Sequence, residues 1–506
     1  MSTSTRTRSQ AKDLITASYD PEAVREVGKL LAERLSQHMA LVQSAEGEVL
    51  NWVDPEKNID AARAQLDAGD KSPVANIESL LERFQELVEQ SLQHGNNLHH
   101  PHYVGHQVPA SLPLAALFDA VGSLTNQVMA IYEMGPWATA VERAVVQTIG
   151  EAMGFAPGAF SGLVTSGGSL ANLTALLTAR NVVLSDSWPQ GLAASSPTPV
   201  LVTHAEAHYC VTRAAGILGI GTKHVIRVPM DSQRRMDPQE LDRILADLRR
   251  RNVPIVAVSA AACATPTGAF DPLTKIAEVC RRHEVWLHVD AAHGGAACLS
   301  TKYRHLVEGL HLADSVVCDA HKMMFIPALC ALVFYRDRQH RYAAFQQTAP
   351  YLFDPSAPGM AEFDNGMTNI ECTKRAAALG LWGVWSLFGR QLFEALIDST
   401  FDLGVRFYEL LEAADDFQPI CRPECNIVVF RYLPPQLRGH TVEQIDDFQL
   451  RLRRAVIESG DFYLVQTNLG GRSYLRTVLI NPLTNESHLC KLLDCLRKHG
   501  KRLLTG

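Results

Sequence analysis

The run Ser315-Val-Val-Cys-Asp-Ala-His-Lys322 carries an apolar stretch into a polar tetrad that ends in a lysine. Lysine is rarely buried unless it is paired or functional. A desolvated amine has a lowered pKa and can attack an aldehyde to form an imine. In Val285-Trp-Leu-His-Val-Asp-Ala-Ala-His-Gly-Gly295, a strand delivers Asp290 at its carboxyl end, where ligands of open α/β sheets collect. A carboxylate there can keep a ring nitrogen protonated and turn the ring into an electron sink. The small Ala292 leaves room for a flat ring to lie against the backbone. In Leu163-Val-Thr-Ser-Gly-Gly-Ser-Leu-Ala-Asn172, a strand, a glycine turn and a helix start follow one another. The amides of that helix N-terminus, with the Ser169 hydroxyl, make an anion cradle suited to phosphate. His204-Ala-Glu-Ala-His208 adds an imidazole after a further strand, able to stack on a ring. Each feature alone has an ordinary structural explanation: a surface lysine, a helix N-cap, a common βα turn, a loop or core histidine.

These residues need a scaffold that brings strand ends together. Short β-branched runs alternate with amphipathic stretches between about residues 110 and 385. The expected strands are 162–165, 199–203, 253–259, 285–289, 315–318 and 331–335. Strands apolar on both faces and separated by helices predict a mainly parallel sheet covered on both sides. Upstream, residues 23–41 and 74–92 repeat apolar positions every three or four residues and read as helices, whereas 51–71 is polar and reads as a looser connection. The Ser/Pro/Gly-rich 189–199 reads as a surface loop. Downstream, a long helix to about 414 is followed by strand-like 426–432 and 474–480 and helical 442–458 and 486–501. The expected organisation is an N-terminal helical segment (1–109), a large ligand-binding domain (110–389) and a small C-terminal α+β domain (390–506).

Composition limits the function classes. The 506 residues are 47% hydrophobic and 20% charged, the balance of a globular protein with a sizeable core. A net charge of −7 without a concentrated basic stretch argues against a nucleic-acid partner. No apolar run approaches the ~20 residues that span a bilayer, and Met1 to Lys12 lacks the apolar core of a signal peptide. Eleven scattered cysteines fit reduced thiols in the cytoplasm better than a disulfide framework. His99, His100, His102 and His106 are irregularly spaced for a metal site. Cys421/Cys425 and Cys490/Cys495 are poor zinc pairs, so no metal is expected.

In this order and spacing, the four chemical elements resemble the group II pyridoxal-dependent amino acid decarboxylases, over about residues 100–481. The blocks His288-Val-Asp-Ala-Ala292 and Asp319-Ala-His-Lys-Met-Met324 are the most specific parts. The resemblance implies fold type I (aspartate aminotransferase-like) α/β architecture, pyridoxal 5'-phosphate as cofactor and a homodimer with an intertwined N-terminal segment. It implies that Lys322 is the Schiff-base lysine and Asp290 the partner of the ring nitrogen. His208 corresponds to the histidine stacked on the ring, with Ala292 on the opposite face. Gly168 and Ser169 match phosphate-contacting positions, Thr265 a cofactor-side threonine, and His321 the histidine lining phosphate and imine. Two positions depart from the family pattern: Cys263-Ala264-Thr265 replaces Gly-Thr-Thr, and Asp319 stands where Asn or Ser usually donates to phosphate. An ionised Asp319 would repel phosphate unless it points away or another group bridges them.

The implied reaction is decarboxylation of an L-amino acid to its amine and carbon dioxide, and Tyr351 matches the tyrosine that reprotonates Cα. Gln107 and Arg476 match substrate-side positions that can bind carboxylates. They favour an acidic amino acid such as glutamate, aspartate or cysteine sulfinate. Diaminobutyrate and aromatic amino acids remain open alternatives, as do a lyase and a decarboxylation-coupled oxidative deaminase that makes an aldehyde.

Overall fold

The computed structural model describes residues 8–74, 76–192, 197–345 and 361–505. Seven strands form the central sheet: β1 (Ser161–Thr165), β2 (Val200–His204), β3 (Val225–Val228), β4 (Ile255–Ala261), β5 (Leu287–Asp290), β6 (Ser315–Asp319) and β7 (Ala331–Tyr335). Their order is β1-β7-β6-β5-β4-β2-β3. The five strands from β6 to β3 run parallel, and β7 is antiparallel to both β6 and β1. Every residue of β2, β4, β6 and β7 is buried, because crossover helices cover both faces. This is the mainly parallel α/β sheet expected from the alternating pattern. The carboxyl ends of β4, β5 and β6 therefore emerge side by side; Asp290 ends β5, while Cys263 and Lys322 follow β4 and β6.

A second sheet, order β10-β11-β9-β8, is antiparallel and contains β8 (Phe417–Pro419), β9 (Ile427–Tyr432), β10 (Val465–Leu469) and β11 (Arg472–Val478). The chain packs as two compact units that cut it differently from the three consecutive segments expected. One comprises 105–449 and 465–482; the other comprises 1–104, 450–464 and 483–506. The expected boundary at 389 falls inside the long helix Leu379–Glu412, where Gly389 takes φ +65° and breaks the helical geometry. In the second unit, helices Pro21–Gln43 and Ile77–Gln93 occupy the periodic segments. Residues expected to be a looser connection form a further helix, Pro55–Lys71. It has no buried residue, so no apolar stripe announces it; Asp54 caps it by accepting from Glu56 N, and Pro55 opens it. Among the described residues, no helix is long and apolar enough to cross a membrane.

Candidate active site

The turn from β1 into the helix Gly168–Val183 builds the anion cradle. Gly167 adopts φ +108°, a conformation that side chains disfavour. A Cβ at Gly168 would lie 2.5 Å from Asp319 Oδ2, so any side chain there would collide with the end of β6. The helix amides thus stay open to a ligand. Asn172, one turn on, donates to Gly168 O at 2.9 Å and fixes the first turn.

That asparagine heads a buried network the sequence reading missed. His288 bridges Asn172 Oδ1 (2.8 Å) and Ser315 Oγ (2.9 Å), and Trp286 Nε1 donates to the same hydroxyl at 3.0 Å. The network ties the cradle helix to β5 and β6. Burial pushes the His288 pKa down to about 4, so the ring is neutral at neutral pH. The two-residue period of a strand, which puts His288 on the same face as Asp290, was the available signal.

A cavity of about 360 Å³ lies at these strand ends, lined by Gln107, Gly168, Ser169, His208, Thr265, Asp290, Ala292, His321 and Lys322. Nine of the site residues expected from sequence are therefore brought together. The cavity wall also contains Asn172, Cys263, His293 and Asp319. Tyr351 lies outside the described residues. Arg476 is on β11, buried, and is not part of the cavity lining.

Lys322 Nζ lies 3.0 Å from Asp319 Oδ2, and His321 Nε2 lies 3.5 Å from the same oxygen. Burial acts to lower the Lys322 pKa, but Asp319 and Asp290 together outweigh it and hold the ammonium above its ordinary value. Asp319 does not point away from the cradle; it faces Gly168 and is bridged by Lys322. His321 is anchored through Nδ1 to Cys330 O at 2.8 Å. Asp290 Oδ1 accepts from Ala292 N at 3.2 Å, which orients the carboxylate at the end of β5. His208 caps the helix Tyr209–Ile217, its Nδ1 accepting from Cys210 N at 3.3 Å. The proton of a neutral ring then sits on Nε2. Burial lowers the His208 pKa, and Asp290 opposes that shift.

Two further polar groups have donors to spare. Among the described residues, Gln107 Nε2 is buried without a protein partner, as are Nε and Nη2 of Arg476. Burial lowers the Arg476 pKa to about 10, against the pull of the Cys263 and Cys425 thiols. Buried donors left unpaired are costly, and Gln107, which lines the cavity, marks a place that a ligand oxygen can fill.

The sequence from residue 61 to 433 matches the model of the pyridoxal-dependent decarboxylase conserved domain. The chain belongs to the pyridoxal-dependent decarboxylase family. It is similar to the acidic amino acid decarboxylase GADL1 of Mus musculus, at 30% identity over 464 residues, covering 90% of this chain and 82% of the relative. It is 31% identical to the cysteine sulfinic acid decarboxylase of Mus musculus over 505 residues, covering 97% and 99% of the two chains. The crystal structure of mouse CSAD matches with a TM-score of 0.85 at 28% identity, over 95% of this chain and 99% of that one. A tryptamine-bound Oryza sativa TDC reaches the same TM-score at 22% identity, a likeness of fold alone.

Membership makes the chain an amino acid decarboxylase with pyridoxal phosphate as its cofactor. The residues present fit that group. The cradle around Gly168 and Ser169 offers amides to a phosphate, an amine stands at Lys322, and a carboxylate stands at Asp290. The cavity volume is also within the range of about 300–1,000 Å³ usual for such ligands.

Proposed function

We propose that this decarboxylase acts on a small acidic L-amino acid, with the cofactor bound covalently at Lys322. The observation that carries the substrate class is Gln107 Nε2, a buried amide donor with no partner among the described residues, in the cavity that also holds Lys322 and Asp290. A side-chain carboxylate or sulfinate would satisfy that donor. An aromatic side chain would leave it unpaired. A site built to hydrogen-bond one substrate discriminates strongly against analogues that cannot. The relatives named as acidic amino acid and cysteine sulfinic acid decarboxylases support the same reading.

The bound cofactor supplies an electron sink for the pair left on Cα when carbon dioxide departs. The protein's residues do the rest. Lys322 would hold the cofactor through Nζ, and Asp290 would keep a proton on the ring nitrogen. His208 and Ala292 would pack against the ring, Gly168 and Ser169 would anchor the phosphate, and Thr265 and His321 would close the wall. Tyr351, assigned from its sequence position, returns a proton to Cα.

The deciding experiment is a panel of glutamate, aspartate, cysteine sulfinate, diaminobutyrate and aromatic amino acids, scored for carbon dioxide, amine and aldehyde. The expected result is amine from the acidic members. Gln107→Leu should lower their kcat/KM by roughly 10- to 100-fold, the scale of one buried hydrogen bond lost. Faster turnover of diaminobutyrate or an aromatic would overturn the substrate class, and aldehyde would replace simple decarboxylation by oxidative deamination. Borohydride should fix the cofactor on Lys322; label on another lysine would refute that assignment.

A homodimer and a cytoplasmic setting complete the reading. The dimer rests on the family resemblance, and sedimentation showing an active monomer would end it. The setting rests on eleven cysteines that are all free thiols, as a reducing compartment keeps them.

A further inference from the structure

We propose that Cys263, Cys425 and His293 form a binding site for a borderline-soft divalent cation, zinc(II) foremost, in the wall of the cofactor cavity. Cys263 follows β4, His293 follows β5, and Cys425 precedes β9. All three are buried. The two sulfurs are 3.7 Å apart. Thiolates at about 2.3 Å from a tetrahedral zinc stand about 3.8 Å from each other, so the pair already has the required bite. A ring nitrogen of His293 and both sulfurs lie within 4.8 Å of one another.

The histidine is prepared for ligation by its surroundings. Asn426 Nδ2 donates to Leu479 O at 3.2 Å and meets Met323 Sδ at 3.4 Å. Its Oδ1 therefore accepts, at 2.8 Å, from His293 Nε2. With the proton on Nε2, the lone pair is on Nδ1, which is buried and has no partner among the described residues. Metal-binding histidines are held in this way, one nitrogen tied to an outer acceptor and the other turned to the ion. Oxygen-seeking ions such as magnesium or calcium do not suit two sulfurs and an imidazole.

Binding is balanced by charge. The cation displaces one proton from each thiol, and two thiolates with a neutral imidazole leave the centre uncharged. Three protein ligands leave a fourth position open. Cys263 and His293 belong to the cavity wall, so an occupied site alters the cavity and lowers turnover.

The test uses the full holoenzyme, kept reduced by an agent that does not bind metal. Zinc retained after desalting should reach one per chain. Cobalt(II) in its place should give thiolate charge-transfer absorption and the ligand-field intensity of tetrahedral coordination. Cys425→Ser and His293→Gln should each weaken zinc at least ~100-fold, the scale of a lost ligand or its outer support. Cys490→Ser, which removes an exposed thiol, should leave binding unchanged. Cys425→Ser should also keep its cofactor absorbance and relieve zinc inhibition; if it fails to fold, His293→Gln and the wild-type cobalt spectrum decide. Equal zinc in Cys425→Ser, octahedral cobalt spectra, or no retained metal with only a Cys263–Cys425 disulfide forming under oxidant would each overturn the proposal.

Discussion

The carboxylate of Asp319 lies 3.0 Å from Lys322 Nζ and directly against Gly168, the residue that opens the anion cradle. One acidic group therefore faces both the amine that holds the cofactor and the place proposed for its phosphate. It raises the Lys322 pKa against the effect of burial, so less neutral amine is present to attack a carbonyl. It also opposes a phosphate dianion. Asp319→Asn removes both effects. The apoenzyme variant should take up pyridoxal phosphate several-fold faster and at lower pH than wild type. Stopped-flow absorbance of cofactor binding measures it, and slower or weaker uptake would show that Asp319 aids binding.

Asp290 stands at the end of β5 with Ala292 N steadying its Oδ1. Asn at this position keeps the shape and loses the charge that holds a ring proton. Asp290→Asn should retain most of its cofactor while its barrier rises by about 3–5 kcal/mol, a rate loss of roughly 10²- to 10³-fold or more. The check is kcat with cofactor occupancy measured on the same sample. Near-normal turnover at full occupancy would remove Asp290 from the machinery.

The parts of this site legible in the sequence are those where one strand end carries its own chemistry. Gly168 and Ser169 follow β1, Asp290 ends β5 and Lys322 follows β6, each within a few residues of a recognisable apolar run. What the sequence hid depends on distant segments. Nothing in the spacing of Cys425 from Cys421 points to Cys263, 162 residues away, whose sulfur meets that of Cys425. Arg476 was expected at the substrate, yet it lies buried on β11 outside the cavity lining. The direction of the Asp319 carboxylate is likewise set by contacts with Gly168 and Lys322. Among the elements, β3 went unnoticed because it has four residues with only one buried, and the helix Pro55–Lys71 because it buries none.

A buried ion pair supports the cradle from behind. Lys374 Nζ is 2.5 Å from Glu142 Oε1 and donates to Val164 O at 2.7 Å, while Val164 N donates to the same Glu142 oxygen at 3.2 Å. Both side chains are only 3% exposed. Glu142→Leu leaves an unpaired ammonium inside the protein and should cost about 3–5 kcal/mol. Adding Lys374→Met should recover most of that loss, because removing both charges also removes their desolvation cost. Urea unfolding of the wild type, both single variants and the double variant measures the coupling. A double variant as unstable as the sum of the singles would mean that the two groups act independently.

His288 makes the fold sensitive to acid through its place between Asn172 and Ser315. Its pKa is about 4 in the folded chain against an ordinary 6.5, with burial the main cause. Between those values the unfolded chain binds a proton that the folded chain refuses, so stability falls as pH falls. The loss begins near the unfolded value and levels off below the folded one, where both states are protonated. Between about pH 6.5 and about pH 5, this one group should remove about 1.5 kcal/mol. The mild end of that window lies above most carboxylate titration, and comparison with a variant separates this ring from the other histidines whose pKa burial lowers. His288→Gln keeps an amide able to bridge its neighbours and cannot titrate. It should be less stable than wild type at pH 7 and lose less stability on acidification, by about that amount. Urea midpoints at the two pH values, for both proteins, give the comparison. Equal pH dependence in the variant would show that His288 is already charged in the folded chain or shielded from the transition, and the neutral bridge between β5, β6 and the cradle helix would have to be abandoned.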